Sequence, residues 1–61
     1  MNKVVKILME RDGLTEAEAK RELEQVRTEI YSAVEDGDYD EAEDIMYSFL
    51  GLEMDYIFDV I

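Results

Sequence analysis

Apolar residues recur every three or four positions along most of the chain, and three glycines divide this helical pattern into four segments. The first segment predicts a helix over residues 3–11, closed by Gly13 as a left-handed cap. Its apolar face consists of Met1, Val4, Val5, Ile7, Leu8 and Met9. The second segment predicts a long helix over residues 16–35, whose apolar side chains fall within about 100° of arc. Those side chains are Ala19, Leu23, Val26, Ile30, Ala33 and Val34.

The second helix has a clear start signal. Thr15 is a favourable N-cap and Glu18 stands three residues later, which is the spacing of a capping box, with Leu14 placed as a hydrophobic staple. Opposite charges three or four residues apart are spaced to pair on the exposed side, and each pair contributes only about 0.2–0.5 kcal/mol. The pairs are Glu16/Lys20, Lys20/Glu24 and Glu24/Arg27.

The third segment predicts a helix over residues 39–50 that folds back on the second. Gly37 ends the second helix, and Asp38 is placed to cap the third with Glu41 as its box partner. Gly51 closes this helix. Its apolar stripe consists of Ala42, Ile45, Met46, Phe49 and Leu50.

The tail, "LEMDYIFDVI", is apolar over most of its surface. Its aromatic and β-branched residues also suit a strand, but no second strand is evident to pair with it, so a short helix is the preferred interpretation. The sequence therefore predicts one all-α domain over residues 1–61, a small three-helix bundle with a short fourth C-terminal helix. The tail either closes this core or forms an interface, and its candidate contact residues are Tyr56, Ile57, Phe58 and Ile61.

Composition argues against catalysis and tight metal binding. The chain contains no histidine and no cysteine, so the commonest general base and the commonest soft metal ligands are missing. Alternating Asp36, Asp38 and Asp40 suggest a calcium loop, which requires glycine at its sixth position and glutamate at its twelfth. Those positions hold Glu41 and Tyr47. We therefore expect no enzyme activity, no catalytic residues, no metal site and no cofactor.

Charge is distributed unevenly. Residues 1–27 contain six acids and six bases, whereas residues 28–61 contain eleven acids and no base, which accounts for the net charge of −11. Binding to nucleic acid or to an anionic membrane needs Lys and Arg, so we expect neither. The apolar run at the start is too short for a signal peptide, and a cytoplasmic location is expected. The expected partner is a basic protein surface.

Two resemblances add to this interpretation. "GDYDEAEDI" resembles the start of a tetratricopeptide-type helix pair in Gly37, Tyr39, Ala42 and their spacing, which implies a helical hairpin. Most of the chain resembles the short, acidic, uncharacterised helical proteins of phages and prophages, which implies a phage accessory role of the anti-defence inhibitor type. The stretches that carry this second resemblance are "RDGLTEAEAKRELE", "EDGDYDEAEDIM" and "LGLEMDYIFD".

These features lead to two functional hypotheses. In the first, the acids of residues 35–44 imitate nucleic-acid phosphates and occupy the basic groove of a nucleic-acid-handling protein, as an anti-CRISPR or similar phage inhibitor in the host cytoplasm does. The contact residues are then Glu35, Asp36, Asp38, Asp40, Glu41, Glu43 and Asp44, with Tyr39 and Tyr47 beside them. Capping explains Asp38 and Glu41, whereas the helix dipole disfavours Glu35 and Asp36. In the second, the protein is a structural or regulatory module that docks or dimerises through its apolar tail.

Overall fold

One long central helix organises the molecule, and every other helix packs against it or beside it. The computed structural model describes residues 2–61, and Met1, predicted for the core, lies outside this range. The elements are α1 (Lys3–Asp12), α2 (Glu16–Glu35), α3 (Tyr39–Ile45), a π-helical turn (Met46–Leu50), a 3₁₀ turn (Met54–Tyr56) and α4 (Ile57–Val60). Within residues 2–61 there is no strand, which confirms the all-α prediction. The Cα radius of gyration is 11.0 Å, close to the about 10.5 Å expected for a compact chain of this length.

Helix α1 is short but defined at both ends. The Asn2 side-chain oxygen accepts hydrogen bonds from the main-chain N–H groups of Val4 (2.7 Å) and Val5 (3.3 Å), which satisfies donors that the helix leaves free. At the other end Gly13, with φ 69°, donates its N–H to the Met9 carbonyl at 3.1 Å. The predicted boundary at residue 11 is one residue short.

Helix α2 begins with the predicted capping box. The Thr15 N–H donates to the Glu18 carboxylate at 2.9 Å, and the Glu18 N–H donates to the Thr15 hydroxyl at 3.1 Å. These reciprocal bonds hold the chain where it turns into the helix. Leu14 is half-buried and packs against the core, as expected of a staple.

The same capping box makes part of the stability depend on pH. Hydrogen bonds from the main chain and hydroxyl of Thr15 hold the pKa of Glu18 below its usual value. A lowered folded-state pKa stabilises the fold above the unfolded-state pKa and loses this effect as pH falls through the folded-state value. Glu18→Gln keeps the box geometry without the titration. We expect the stability advantage of wild type over Glu18→Gln to be largest near pH 7 and to shrink in acid.

Thermal denaturation followed by circular dichroism at several pH values measures this difference. Glu10→Gln, an exposed carboxyl on α1, is the control for the general loss of one negative charge. A constant difference between wild type and Glu18→Gln across the acid range would contradict the prediction.

Helix α2 ends at a Schellman motif. Gly37 has φ 73° and donates its N–H to the Val34 carbonyl at 3.0 Å, while the Asp38 N–H donates to the Ala33 carbonyl at 2.9 Å. Asp38 also caps α3, since its carboxylate accepts the Glu41 N–H at 3.0 Å. The predicted capping box at this position is half wrong, because the Asp38 N–H is already bonded to Ala33 and does not meet the Glu41 side chain.

The third predicted helix is not one continuous α-helix. α3 ends at Ile45, and Met46–Leu50 forms a π-helical turn that closes when the Gly51 N–H bonds to the Met46 and Tyr47 carbonyls. A π-turn fits more residues into each turn than an α-helix, so each side chain advances less about the axis. Met46 and Leu50 are fully buried, whereas Phe49 leaves the predicted stripe and is 56% exposed.

The core is a single apolar cluster drawn from every helix, and no polar or charged residue within residues 2–61 is buried in it. Val34, predicted for this core, is a correction: it lies at the edge of the apolar face of α2 and is 38% exposed. The buried residues are Val4, Val5, Leu8, Ala19, Leu23, Val26, Ile30, Ala33, Ala42, Ile45, Met46, Leu50, Leu52 and Val60.

Two of the three predicted surface pairs are present. Lys20 pairs with Glu16 at 3.1 Å, and Arg27 pairs with Glu24. Lys20 does not reach Glu24 in the part of the chain described. Arg27 is also less exposed than predicted, with 30% of its side-chain surface accessible, because it is turned towards the tail.

The tail is helical, so the strand alternative is wrong. Its helix is short, as predicted, and a 3₁₀ turn over Met54–Tyr56 precedes the four residues of α4. α4 lies against α1 and α2. Val60 is fully buried there, which ties the end of the chain to the core.

Candidate functional site

The acidic turn, residues 35–44, forms the most highly charged surface. Its carboxylates sit at the end of α2, in the connecting turn and on the first turns of α3. Every residue of the segment except Ala42 is exposed. The exposed acids are Glu35, Asp36, Asp38, Asp40, Glu41, Glu43 and Asp44.

Within the described residues 2–61, no base forms an ion pair with these carboxylates. The three ion pairs found within residues 2–61 all involve acids that precede residue 28. The last turn of α2 contains no basic residue, so Glu35 and Asp36 face the negative end of the helix dipole without compensation. Asp40 and Glu41 lie in the first turn of α3, where the dipole favours them. The turn therefore combines carboxylates stabilised by the fold with two that local structure disfavours.

Tyr39 lies within the acidic turn at the start of α3, and Tyr47 lies in the π-helical turn that follows α3. They are 64% and 73% exposed, and neither phenol makes a hydrogen bond to another part of residues 2–61. Each ring thus presents an apolar body and a free hydroxyl to solvent, a combination that is favoured in binding surfaces.

The candidate contact residues of the tail divide into two pairs. Tyr56 and Ile57 are half-buried against the core, and the Lys3 ammonium lies 5.7 Å from the centroid of the Tyr56 ring. Phe58 is 85% exposed and Ile61 is 48% exposed. The tail therefore closes part of the protein's own core and still presents two apolar side chains to solvent.

Three side chains hold the tail through its main-chain oxygens. The Asn2 amide donates to the Asp59 oxygen at 2.6 Å, the Arg27 guanidinium to the Val60 oxygen at 2.6 Å, and the Tyr31 hydroxyl to the Ile61 oxygen at 3.0 Å. We call this set of three hydrogen bonds the tail clasp. It satisfies carbonyls that a helix C-terminus leaves without partners. Nothing in the local sequence of the tail indicates it, because the donors lie 30 to 57 residues away.

A groove runs between α2 and the α3–π segment, on the flank of α2 opposite the tail. Its larger part has a volume of about 610 Å³ and its smaller part about 380 Å³, and Phe49 and Glu29 line both. The buried Val26 and Ile45 contribute to its floor. The charged residues along it are Glu18, Arg21, Glu22, Glu29, Asp36 and Glu41. Sequence analysis did not identify this groove, although Glu22, Glu29 and Asp36 follow one another at heptad spacing.

Within residues 2–61 no three acidic side chains converge as a metal-binding group would require. None of the described helices has the length and apolar character needed to cross a lipid bilayer.

Comparison with protein-family models, curated proteins and solved structures gave no match to this chain. The fold and surfaces above therefore define the protein as a small all-α protein with an acidic turn, an acidic groove and a clasped apolar tail.

Proposed function

We propose that this protein is a non-enzymatic inhibitor that covers a basic, nucleic-acid-binding surface of a partner protein. The observation that carries the proposal is the set of seven exposed carboxylates within residues 35–44, none of which has an ion-pair partner within residues 2–61. A surface that serves only to keep a protein dissolved usually mixes both signs of charge. Duplex DNA presents one negative charge per about 1.7 Å of its axis, so a basic groove built for it also attracts a dense row of carboxylates.

In this proposal, α1, α2 and the α3–π segment form a small three-helix bundle, with α4 as a short fourth helix. The hydrogen bonds that fix the acidic turn between α2 and α3 support the proposal. The Schellman motif at Gly37 and the Asp38 cap fix the chain at the centre of the acidic turn. Preorganised charges lose less conformational entropy on binding than charges on a mobile loop.

The concrete form that we propose is an anti-CRISPR or similar anti-defence protein of phage origin, acting in the host cytoplasm. Its partner is a nucleic-acid-handling effector whose lysines and arginines meet the carboxylates of the acidic turn. Tyr39 and Tyr47 add contact area at the edge of this surface. Binding of this kind weakens with salt, because exposed charges are screened over about 8 Å at physiological ionic strength.

A second candidate function rests on the exposed part of the tail. Phe58 and Ile61 are large apolar side chains that the protein's own core leaves in solvent. In this alternative the protein is a structural or regulatory module that docks on a partner, or on its own copy, through the tail. Such a contact strengthens or persists at high salt, because the net charge of −11 opposes association of two copies.

Charge reversal in the acidic turn separates these functions. Lysine at Glu35, Asp36, Asp40 and Asp44 replaces four negative charges with four positive ones, so the formal charge changes from −11 to −3. Asp38 and Glu41 stay, because they cap α3. We expect this variant to lose at least about tenfold in affinity for a basic partner, since charged contacts dominate such binding.

A pull-down from bacterial lysate at low and high salt identifies the partner, and titration with the purified partner measures the loss. The matched control has lysine at four exposed acids elsewhere and the same net charge: Glu10, Asp12, Glu53 and Asp55. Equal affinity of the acidic-turn variant and the control would refute the inhibitor proposal. Loss of binding or of self-association in Tyr56→Ala/Phe58→Ala alone would favour the tail.

A further inference from the structure

The groove between α2 and the α3–π segment has features that neither the acidic turn nor the tail explains. Phe49 is 56% exposed in a concave surface, although the helical pattern of its neighbours would place it in the core. The π-turn turns it out of the core and into the groove. An exposed phenylalanine in a groove offers an incoming apolar side chain more contact than the same ring on a convex surface.

The charges around Phe49 restrict what can fill the groove. Five carboxylates line its two parts, against the single lining guanidinium of Arg21, and the Arg11 guanidinium also interacts electrostatically with Glu22. An acidic or neutral apolar segment would leave most of these carboxylates partly desolvated without counter-charges, which is unfavourable. A segment that combines apolar and basic side chains satisfies both requirements.

The spacing of the carboxylates indicates the conformation of the occupant. Glu22 and Glu29 lie on α2 and Asp36 is its C-cap, and the three are seven residues apart, which corresponds to steps of about 10.5 Å along the helix axis. In a second helix lying along α2, side chains that are seven residues apart recur at the same axial interval. Phe49 lies at the level of Glu29, since both line the two parts of the groove.

We propose that this groove binds a basic amphipathic helix of the partner, with Lys or Arg at heptad spacing opposite Glu22, Glu29 and Asp36 and an apolar side chain on Phe49. This inference rests on the proposed function, because it names the part of a basic partner that the protein holds. The acidic turn attracts the partner over a distance, and the groove supplies a contact of defined shape that salt screening affects less.

Synthetic peptides test the groove without knowledge of the natural partner. The probe is a labelled alanine-based helical peptide with three lysines seven residues apart and a leucine beside the central lysine. A second peptide has alanine in place of the leucine, and a third has the lysines five residues apart. Fluorescence anisotropy with the full chain measures each affinity.

We expect the leucine peptide to bind about tenfold more tightly than its alanine analogue, because the leucine covers exposed apolar surface on Phe49. Phe49→Ala should remove this difference. Phe58→Ala should preserve it, because Phe58 is an exposed aromatic residue that does not line the groove. Glu29→Lys should weaken the leucine peptide more than Glu10→Lys, which makes the same charge change on α1. Circular dichroism verifies that each variant is folded.

Several results would overturn the inference: equal affinity for the leucine and alanine peptides, equal affinity for the two lysine spacings, or equal effects of Phe49→Ala and Phe58→Ala. If the wild-type protein is a dimer and the Phe49→Ala variant is a monomer, a second copy of the chain fills the groove instead. Failure here, with the acidic-turn variant still losing its partner, leaves the inhibitor proposal intact. If the peptides bind as expected but the acidic-turn variant keeps its partner, the groove is a peptide-binding site and the inhibitor proposal is wrong.

Discussion

Replacing Ile30 with alanine is expected to leave most of the protein unfolded at room temperature. Ile30 is fully buried in the C-terminal half of α2, where the helix meets the shared core. Truncating a buried isoleucine to alanine costs about 2–5 kcal/mol, because transfer free energy is lost and a cavity remains. A core in a chain this small supplies only about 3–5 kcal/mol of net stability. One substitution therefore removes most or all of the margin.

Urea denaturation followed by far-ultraviolet circular dichroism tests this expectation. Ser32→Ala is the matched control on the same helix, because Ser32 is exposed and its change should stay within about 0.5 kcal/mol of wild type. Ile30→Val should give an intermediate loss of about 0.5–1.5 kcal/mol. A cooperative transition in Ile30→Ala with a midpoint near that of wild type would contradict this expectation. It would show that contacts other than the described core packing stabilise the fold.

Removing the guanidinium of Arg27 is expected to release the tail. Its Nε donates to the Val60 oxygen at 2.6 Å, and its Nη1 pairs with Glu24. Arg27→Met keeps most of the aliphatic stem but loses both donors and leaves the Val60 oxygen without its partner. Hydrogen bonds to charged groups contribute about 1.5–3 kcal/mol, so we expect a loss of about 2 kcal/mol.

Amide hydrogen exchange localises this loss. The Ile61 N–H bonds to the Ile57 carbonyl in wild type, and its exchange should become much faster in Arg27→Met. Arg21→Met is the control, since it makes the same change in net charge at an exposed position on α2. Tyr31→Phe removes a more exposed member of the tail clasp and should have a smaller effect. Equal exchange at Ile61 in the Arg27 and Arg21 variants would contradict a clasp centred on Arg27.

Local signals predicted much of this fold. The capping box at Thr15, the Schellman glycine at Gly37 and the apolar face of α2 all depend on residues within a few positions of one another, so the sequence pattern contains them. The π-turn was not predictable in this way. Its apolar stripe also fits an α-helix, and no local signal in these residues distinguishes the wider turn from an α-helical one.

The candidate surfaces were predictable to different degrees. A turn crowded with Asp and Glu has to be exposed, because burial of an unpaired charge is costly, so the acidic turn followed from composition. The groove depends on Phe49, whose position changes with the π-turn, and on α2 carboxylates that resemble any solvated helix face. The tail clasp consists of side-chain bonds to main-chain oxygens. Because every residue has a main-chain oxygen, such bonds require no particular residue type in the tail, and its sequence does not indicate them.

The hydrogen bond between Asn2 and Asp59 joins positions that are 57 residues apart, and this separation has a kinetic consequence. Closing a loop of that length costs chain entropy that grows as the logarithm of its length, whereas the helices form through near neighbours. We therefore expect the tail clasp to form only after α1, α2 and the α3–π segment have packed together and brought Asn2 near Asp59. By the same reasoning, we expect the tail to open before the rest of the fold. Such opening would leave the body folded and uncover the side of α2 beneath α4.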